Sequence, residues 1–181
     1  MNNKKGKVIL IGGCPRTGKT TLAVRLVKSG LGFSKISGDF LGEENINNFE
    51  FVKNLLGGLL DEAEVYGISS VFDYCSWDFT PFDVDKLQFK DKLKIYFFGF
   101  PDISAEEIKY YIKHYAVYAD WISHVDDDYV ESVSKRIHAH NIELKEQCEK
   151  YNYRFINTGV GEERNVVLDL LYNEIIEKYG L

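Results

Sequence analysis

The chain has 181 residues, 45% of them hydrophobic and 28% charged, with a net charge of −6 and a pI near 5.3. That length and balance predict one folded domain, residues 1–181, with a full core; the acidity argues against a non-specific grip on duplex nucleic acid. Cys14, Cys75 and Cys148 are widely spaced without metal-ligand spacing and read as thiols of a cytoplasmic protein, and no apolar run approaches a membrane span.

In chain order, Lys7–Ile11 is an unbroken apolar strand, as expected of one covered on both faces of a parallel sheet. Gly18–Ser29 reads as a helix with Leu22, Leu26 and Val27 on one side, stopped by Gly30. Ser34–Ser37 is a short second strand ending in Ser-Gly-Asp-Phe. A helix over Glu43–Tyr66 follows, weakened or bent in its middle by Gly57 and Gly58. Ser69–Tyr74 and Leu93–Gly99 are the third and fourth strands. Ser104 and Glu107 have the spacing of a capping box, heading a helix that runs to about Val117.

The run Asp126-Asp127-Asp128 lacks the alternating oxygen ligands and glycine of a calcium loop. It marks the start of a helix over Asp127–Lys150, with Val130, Val133, Ile137, Leu144 and Cys148 as its apolar stripe. His138 and His140 sit two apart on that helix and do not converge on a metal. Tyr153–Ile156 is a fifth strand and Glu162–Tyr179 a closing helix. Strands alternating with helices predict a three-layer α/β/α fold around a five-stranded, largely parallel sheet.

The turn after the first strand is Gly13-Cys14-Pro15-Arg16-Thr17-Gly18-Lys19-Thr20, the G-x-x-x-x-G-K-[ST] pattern of a P-loop. The bare pattern arises by chance in roughly one chain of this size in a few hundred, and a buried strand before it with a helix after it makes chance rarer still. Glycines let successive N–H groups turn inward around phosphate oxygens at a helix N-terminus. The candidate nucleotide-binding residues are therefore Gly13 to Thr20 together with Thr21. Lys19 is spaced to reach the β- and γ-phosphates, and Thr20 to ligate Mg²⁺.

Ligands of open α/β sheets lie beyond the carboxyl ends of the strands, so the polar residues there are the next candidates. Asp73, closing the third strand, fits the second acidic element that holds Mg²⁺ or its waters; the other reading is a carboxylate that caps the next loop. Asp39, after the second strand, can face the acceptor side as a base, or cap the following helix. Asn157, Thr158 and Gly159 follow the fifth strand. Phe40, Tyr74, Trp77, Phe79 and Phe82 either wall a pocket or belong to the core.

This layout resembles the small-molecule kinase branch of P-loop proteins, which includes adenylate, shikimate and gluconate kinases and chloramphenicol phosphotransferases. The shared features are the N-terminal P-loop, Gly38-Asp39-Phe40-Leu41 after strand two and a helical excursion after strand four. The resemblance implies a P-loop NTPase fold, ATP and Mg²⁺ as cofactors, and a lid over the phosphates at about residues 102–135. It also implies Asp39 as base and the loop 157–161 beside the nucleotide base.

The chain departs from that pattern in its lid. Relatives supply arginines there to offset transition-state charge. From Asp102 to Glu131 this chain has eight acidic residues, two lysines and no arginine. Arg136, on the next helix, either enters the site on closure or forms an exposed pair with Asp128 or His140; Arg16 is a partial substitute. Only five arginines occur in the chain, which disfavours an acceptor already carrying a phosphate, a group best held by bidentate arginine.

The expectation is an ATP-dependent phosphotransferase acting on a hydroxyl-bearing small molecule, with Lys19, Asp39 and Arg136 as catalytic residues and Thr20 and Asp73 at the metal. No Asn-Lys-x-Asp stretch that would read guanine is present. The alternatives are an ATP-binding protein without turnover and a nucleotide or polynucleotide 5′-hydroxyl kinase.

Overall fold

A computed structural model describes residues 6–40, 49–75, 84–114 and 124–179. Its elements are β1 (Val8–Gly13), α1 (Lys19–Lys28), β2 (Phe33–Ser37), α2 (Phe49–Val65), β3 (Ser69–Asp73), β4 (Leu93–Gly99), α3 (Ala105–His114), α4 (Asp127–Lys150), β5 (Arg154–Asn157) and α5 (Gly161–Tyr179). The strands form one five-stranded sheet in the order β2-β3-β1-β4-β5, and every pairing is parallel.

Side chains of β1 alternate between two cores, which is why its sequence is apolar without a break. Ile9 and Ile11 pack with Leu22 and Leu26 of α1 and Leu168, Leu171 and Ile175 of α5. Val8 and Leu10 pack on the other face with Val52, Leu56 and Leu60 of α2 and Leu144 and Cys148 of α4. All four β1 residues are fully buried, each contributing on the order of 1.5–3 kcal/mol by leaving water. The result is the expected three-layer α/β/α arrangement.

A third apolar cluster stands beyond the carboxyl end of β4. Ile108 and Ile112 of α3 meet Val130, Val133 and Ile137 of α4 over Phe100. Asn141 of α4 is fully buried; its Oδ1 accepts from the Phe100 N–H at 2.7 Å, and its Nδ2 donates to the Ile137 carbonyl at 2.8 Å. Thus the helix that carries Arg136 is fastened to the end of the central sheet.

The capping signals act as expected. Ser104 Oγ accepts from the Glu107 N–H at 3.3 Å while Glu107 accepts from the Ser104 N–H at 3.0 Å, and Asp126 caps α4 through the Tyr129 N–H at 2.8 Å. One expectation needs correction. Gly57 and Gly58 lie within α2, as expected, and the helix runs through them without interruption while its flanking apolar residues anchor it to the sheet. The fifth strand begins one residue later than expected: the Tyr153 N–H still bonds to the Cys148 carbonyl at 2.8 Å, after Asn152 turns at φ 55°. The expected helix start at Glu43 and helix end at Val117, with Leu41, Trp77, Phe79 and Phe82, lie outside the described residues, as does the Phe40 side chain.

Candidate functional site

The turn from β1 to α1 is shaped by alternating backbone conformations. Gly13, Arg16 and Gly18 have φ of 121°, 66° and 91°. Gly13 needs glycine twice over: its φ is left-handed, and a Cβ there would collide with the backbone of Phe98 on β4. Arg16 holds its conformation at a strain of about 1–2 kcal/mol, and its carbonyl accepts from Arg164 Nη1 at 3.0 Å. The first turn of α1 has no acidic residue, and Gly18 at its N-cap offers no side chain to cap it. The N–H groups at the helix start are therefore available to an anion.

Lys19 is nearly buried, and its Nζ donates to the Cys14 carbonyl at 2.5 Å; Thr17 Oγ1 donates to the same oxygen at 2.8 Å. The Cys14 side chain belongs to the core, and burial pushes its thiol pKa far up against the lowering effect of Lys19. Cys14 can therefore meet a ligand only through its backbone.

Thr20 Oγ1 donates to Asp73 Oδ2 at 2.6 Å, joining the P-loop helix to the end of β3. Asp73 is 3% exposed; its Oδ1 lies 3.1 Å from Lys35 Nζ as an ion pair but receives no aligned hydrogen bond. This pair suits magnesium: both are hard oxygen donors, and one oxygen of the buried carboxylate lacks a hydrogen-bond partner. Among the described residues no cluster of three or more His, Cys, Asp or Glu could hold a metal by itself, and His138 Nδ1 instead contacts the Ile103 carbonyl at 2.9 Å.

A cleft of about 140 Å³ opens over this pair, lined by Pro15, Arg16, Lys19, Thr20, Asp39, Asp73, Tyr74 and Cys75. Asp39 lies in a short 3₁₀ turn, Gly38–Phe40, and is exposed. Tyr74 is 6% exposed and stacks on Phe72 at 5.4 Å, so it is core as well as cleft wall. Cys75, which the sequence presents only as a thiol without metal-ligand spacing, lies two residues beyond Asp73. Burial raises its thiol pKa and Asp39 raises it further, while Lys19 and Arg136 pull it down. Lys19, Asp39, Cys75 and Arg136 therefore share one electrostatic neighbourhood, even though Arg136 is exposed on α4.

A second cavity, of about 170 Å³, adjoins the first across Arg16. It is lined by Phe100, Ile108, Tyr111, Ile112, Ile137, Val160 and Gly161 together with Arg16 and Arg164. The loop 157–161 after β5 reaches it at Val160 and Gly161. Asn157 Nδ2 donates to Asp102 Oδ2 at 2.7 Å, and Thr158 is fully buried with Oγ1 3.2 Å from the Gly99 carbonyl. These two side chains tie β5 to β4, and Gly159 turns the chain at φ 59°. Arg164 and Tyr111 escaped the sequence reading because their cavity is assembled from five separate segments.

The five arginines divide by location. Arg25 pairs with Asp169 and Arg154 with Glu174, whereas Arg16, Arg164 and Arg136 lie around the P-loop. Among the described residues, no helix is long and apolar enough to cross a membrane.

No protein-family model matches the sequence, and no curated protein sequence does. Solved structures do match the fold. The YorR protein of Bacillus subtilis, solved in complex with phosphorylated GDP, is 16% identical with a TM-score of 0.55, covering 96% of this chain and 98% of its own. Shikimate kinase from Bacteroides thetaiotaomicron is 15% identical with a TM-score of 0.53, covering 94% and 98%. Shikimate kinase from Acinetobacter baumannii, in complex with shikimate, is 14% identical with a TM-score of 0.50, covering 97% and 96%. Over nearly its whole length the chain thus has the α/β fold of P-loop small-molecule kinases.

Proposed function

We propose that the protein is a phosphotransferase that moves the γ-phosphoryl group of ATP to a hydroxyl on a small molecule. The observation that carries the reading is the convergence of Lys19, Thr20, Asp73 and Asp39 on one cleft at the carboxyl edge of the sheet. A phosphate cradle alone would serve a binding protein; a carboxylate lining the same cleft from the end of β2 supplies what transfer needs.

In this reading the loop amides from Gly13 to Thr21 and the Lys19 ammonium hold the β- and γ-phosphates. Thr20 and Asp73 would hold magnesium, which would supply positive charge to offset that of the phosphates. Asp39 accepts the proton of the acceptor hydroxyl as its oxygen attacks phosphorus, and ADP leaves. Arg136 and Arg16 offset the charge on the transferred group. The nucleotide base occupies the neighbouring cavity, where Tyr111, Arg16 and Arg164 offer planar faces and Ile108, Ile112 and Ile137 an apolar floor. Asn157, Thr158 and Gly159 position the loop that leads into it. The segment at about 102–135, whose described parts include α3 and the start of α4, acts as the lid. The shikimate bound to one structural neighbour is in keeping with a hydroxylated acceptor.

A specific observation favours a second reading, nucleotide binding without turnover. Lys109 pairs with Glu131 at 3.1 Å and Lys113 with Asp127 at 2.5 Å, so both lysines between Asp102 and Glu131 are engaged with carboxylates of α4. One experiment separates the two: incubation with labelled ATP and a metabolite library, read by mass for an added phosphate. Lys19→Ala abolishes nucleotide binding, while Asp39→Asn keeps nucleotide affinity and loses transfer. Tight ATP binding with no phosphorylated product would sink the phosphotransferase reading, and unchanged ATP affinity in Lys19→Ala would sink the cradle itself.

A further inference from the structure

We propose that Lys35 is a built-in counter-charge for Asp73 that competes with the divalent cation, and so sets how tightly the metal–nucleotide complex is held. The inference rests on the reading of Thr20 and Asp73 as the magnesium pair.

A carboxylate as buried as Asp73 must be compensated by charge or hydrogen bonds. Thr20 supplies one hydrogen bond, to Oδ2, and the only cation paired with Asp73 among the described residues is Lys35. The register explains the contact. β2 pairs with β3 so that Ser37 lies beside Asp73, and Lys35 is two residues earlier on the same face of the strand. Phe33, on that face too, packs under Leu22 and Leu26 of α1, so the lysine stem runs along the sheet beneath the P-loop helix.

Two features distinguish this pair from a fixed structural bridge. The ammonium stands 3.1 Å from Oδ1 without an aligned hydrogen bond, so it acts as a point charge rather than a directed donor. Its side chain is 21% exposed, against 3% for Asp73, so the lysine keeps a route to water along a flexible stem. A divalent ion held by Asp73 and Thr20 meets this positive charge within a few ångströms of its own site. In the partly buried cleft that repulsion amounts to a loss of affinity of about ten-fold or more. In return, the carboxylate is neutralised and correctly placed before any metal arrives.

The test uses the full chain as wild type, Lys35→Met, Lys35→Arg, Asp73→Asn and the double variant Lys35→Met/Asp73→Asn. Manganese binding to each ADP complex is read by electron paramagnetic resonance, and thermal unfolding is followed with EDTA and with manganese–ADP. Lys35→Met unfolds earlier than wild type in EDTA, binds manganese about ten-fold more tightly, and recovers its stability when manganese–ADP is added. Lys35→Arg, keeping the charge, stays close to wild type, and the double variant is more stable in EDTA than Lys35→Met. Unchanged or weaker manganese binding in Lys35→Met, with binding lost in Asp73→Asn, overturns the inference and leaves the magnesium pair intact. Unchanged binding in Asp73→Asn overturns the magnesium pair and the inference with it. Should Lys35→Met fail to fold, a folded double variant upholds the counter-charge role; an unfolded one overturns it in favour of stem packing.

Discussion

Replacing Asn141 by alanine tests how firmly α4 is fastened to the sheet. The substitution removes the acceptor of the Phe100 N–H, a bond of 2.7 Å at a fully buried position. An orphaned buried donor costs about 1–3 kcal/mol. The lost contact to the Ile137 carbonyl adds less, because that oxygen keeps its place in the helix ladder. The side chain also touches Gly99 closely enough that a Cβ there would meet Asn141 Oδ1, so the alanine leaves a small void rather than room for collapse. The total is about 2–3 kcal/mol, which for a chain of this length lowers the melting temperature by roughly 4–12 °C. Urea unfolding followed by far-ultraviolet circular dichroism measures it, with the slope unchanged and the midpoint reduced. Nucleotide affinity stays near wild type because the P-loop is anchored by β1 and β4 instead, through contacts such as the Cys14 N–H to the Phe98 carbonyl at 3.1 Å. A stability loss below about 0.5 kcal/mol would refute the reasoning, since a real orphan cannot be that cheap.

Two further outcomes follow from α2 and from the junction of α3 and α4. Gly57→Ala and Gly58→Ala each stabilise the protein by about 0.5–1 kcal/mol, because both lie in helical backbone and an added Cβ meets nothing within 4 Å; a lowered melting temperature would contradict this. The Glu131 carboxyl, hydrogen-bonded by Lys135 and Lys109, is held down to about 2. Its ionised form favours the folded state, so its contribution is present above the ordinary value of 4.5 and is lost as pH falls toward about 2. An NMR titration of the Glu131 carboxyl carbon shows that low midpoint, and a midpoint near 4.5 would show that the two lysines do not hold it.

The strands and helix caps were legible because their causes are local. Ser104 with Glu107, and Asp126 before Tyr129, need only the next turn of chain to act, and Leu93–Gly99 is bounded by polar residues on one side and a proline turn on the other. The P-loop was legible because phosphate binding demands a fixed spacing over eight consecutive residues. The helix through Gly57 and Gly58 was legible despite them because helix propensity is weaker than the burial of Val52, Leu56, Leu59 and Leu60 around them. The remainder of the site depends on which strands become neighbours. Lys35 meets Asp73 only because β2 pairs with β3, and Tyr111 meets Arg164 only after α3 and α5 have both folded over Arg16. Asn157 was a fair candidate by position, but its side chain is engaged with Asp102, 55 residues away.

Arg16 stands in the shared wall of the two cavities. For anyone designing an inhibitor, this makes the protein a bipartite target. One fragment should carry an anion for the loop of Gly13 to Thr20, the other a flat apolar group for the recess floored by Ile108 and Ile137. A linker crossing Arg16 turns the second contact into an intramolecular event, with gains set by linker length rather than by new contacts. Because the Arg16 carbonyl is already held by Arg164, the bridge between the two fragments has a defined surface to follow.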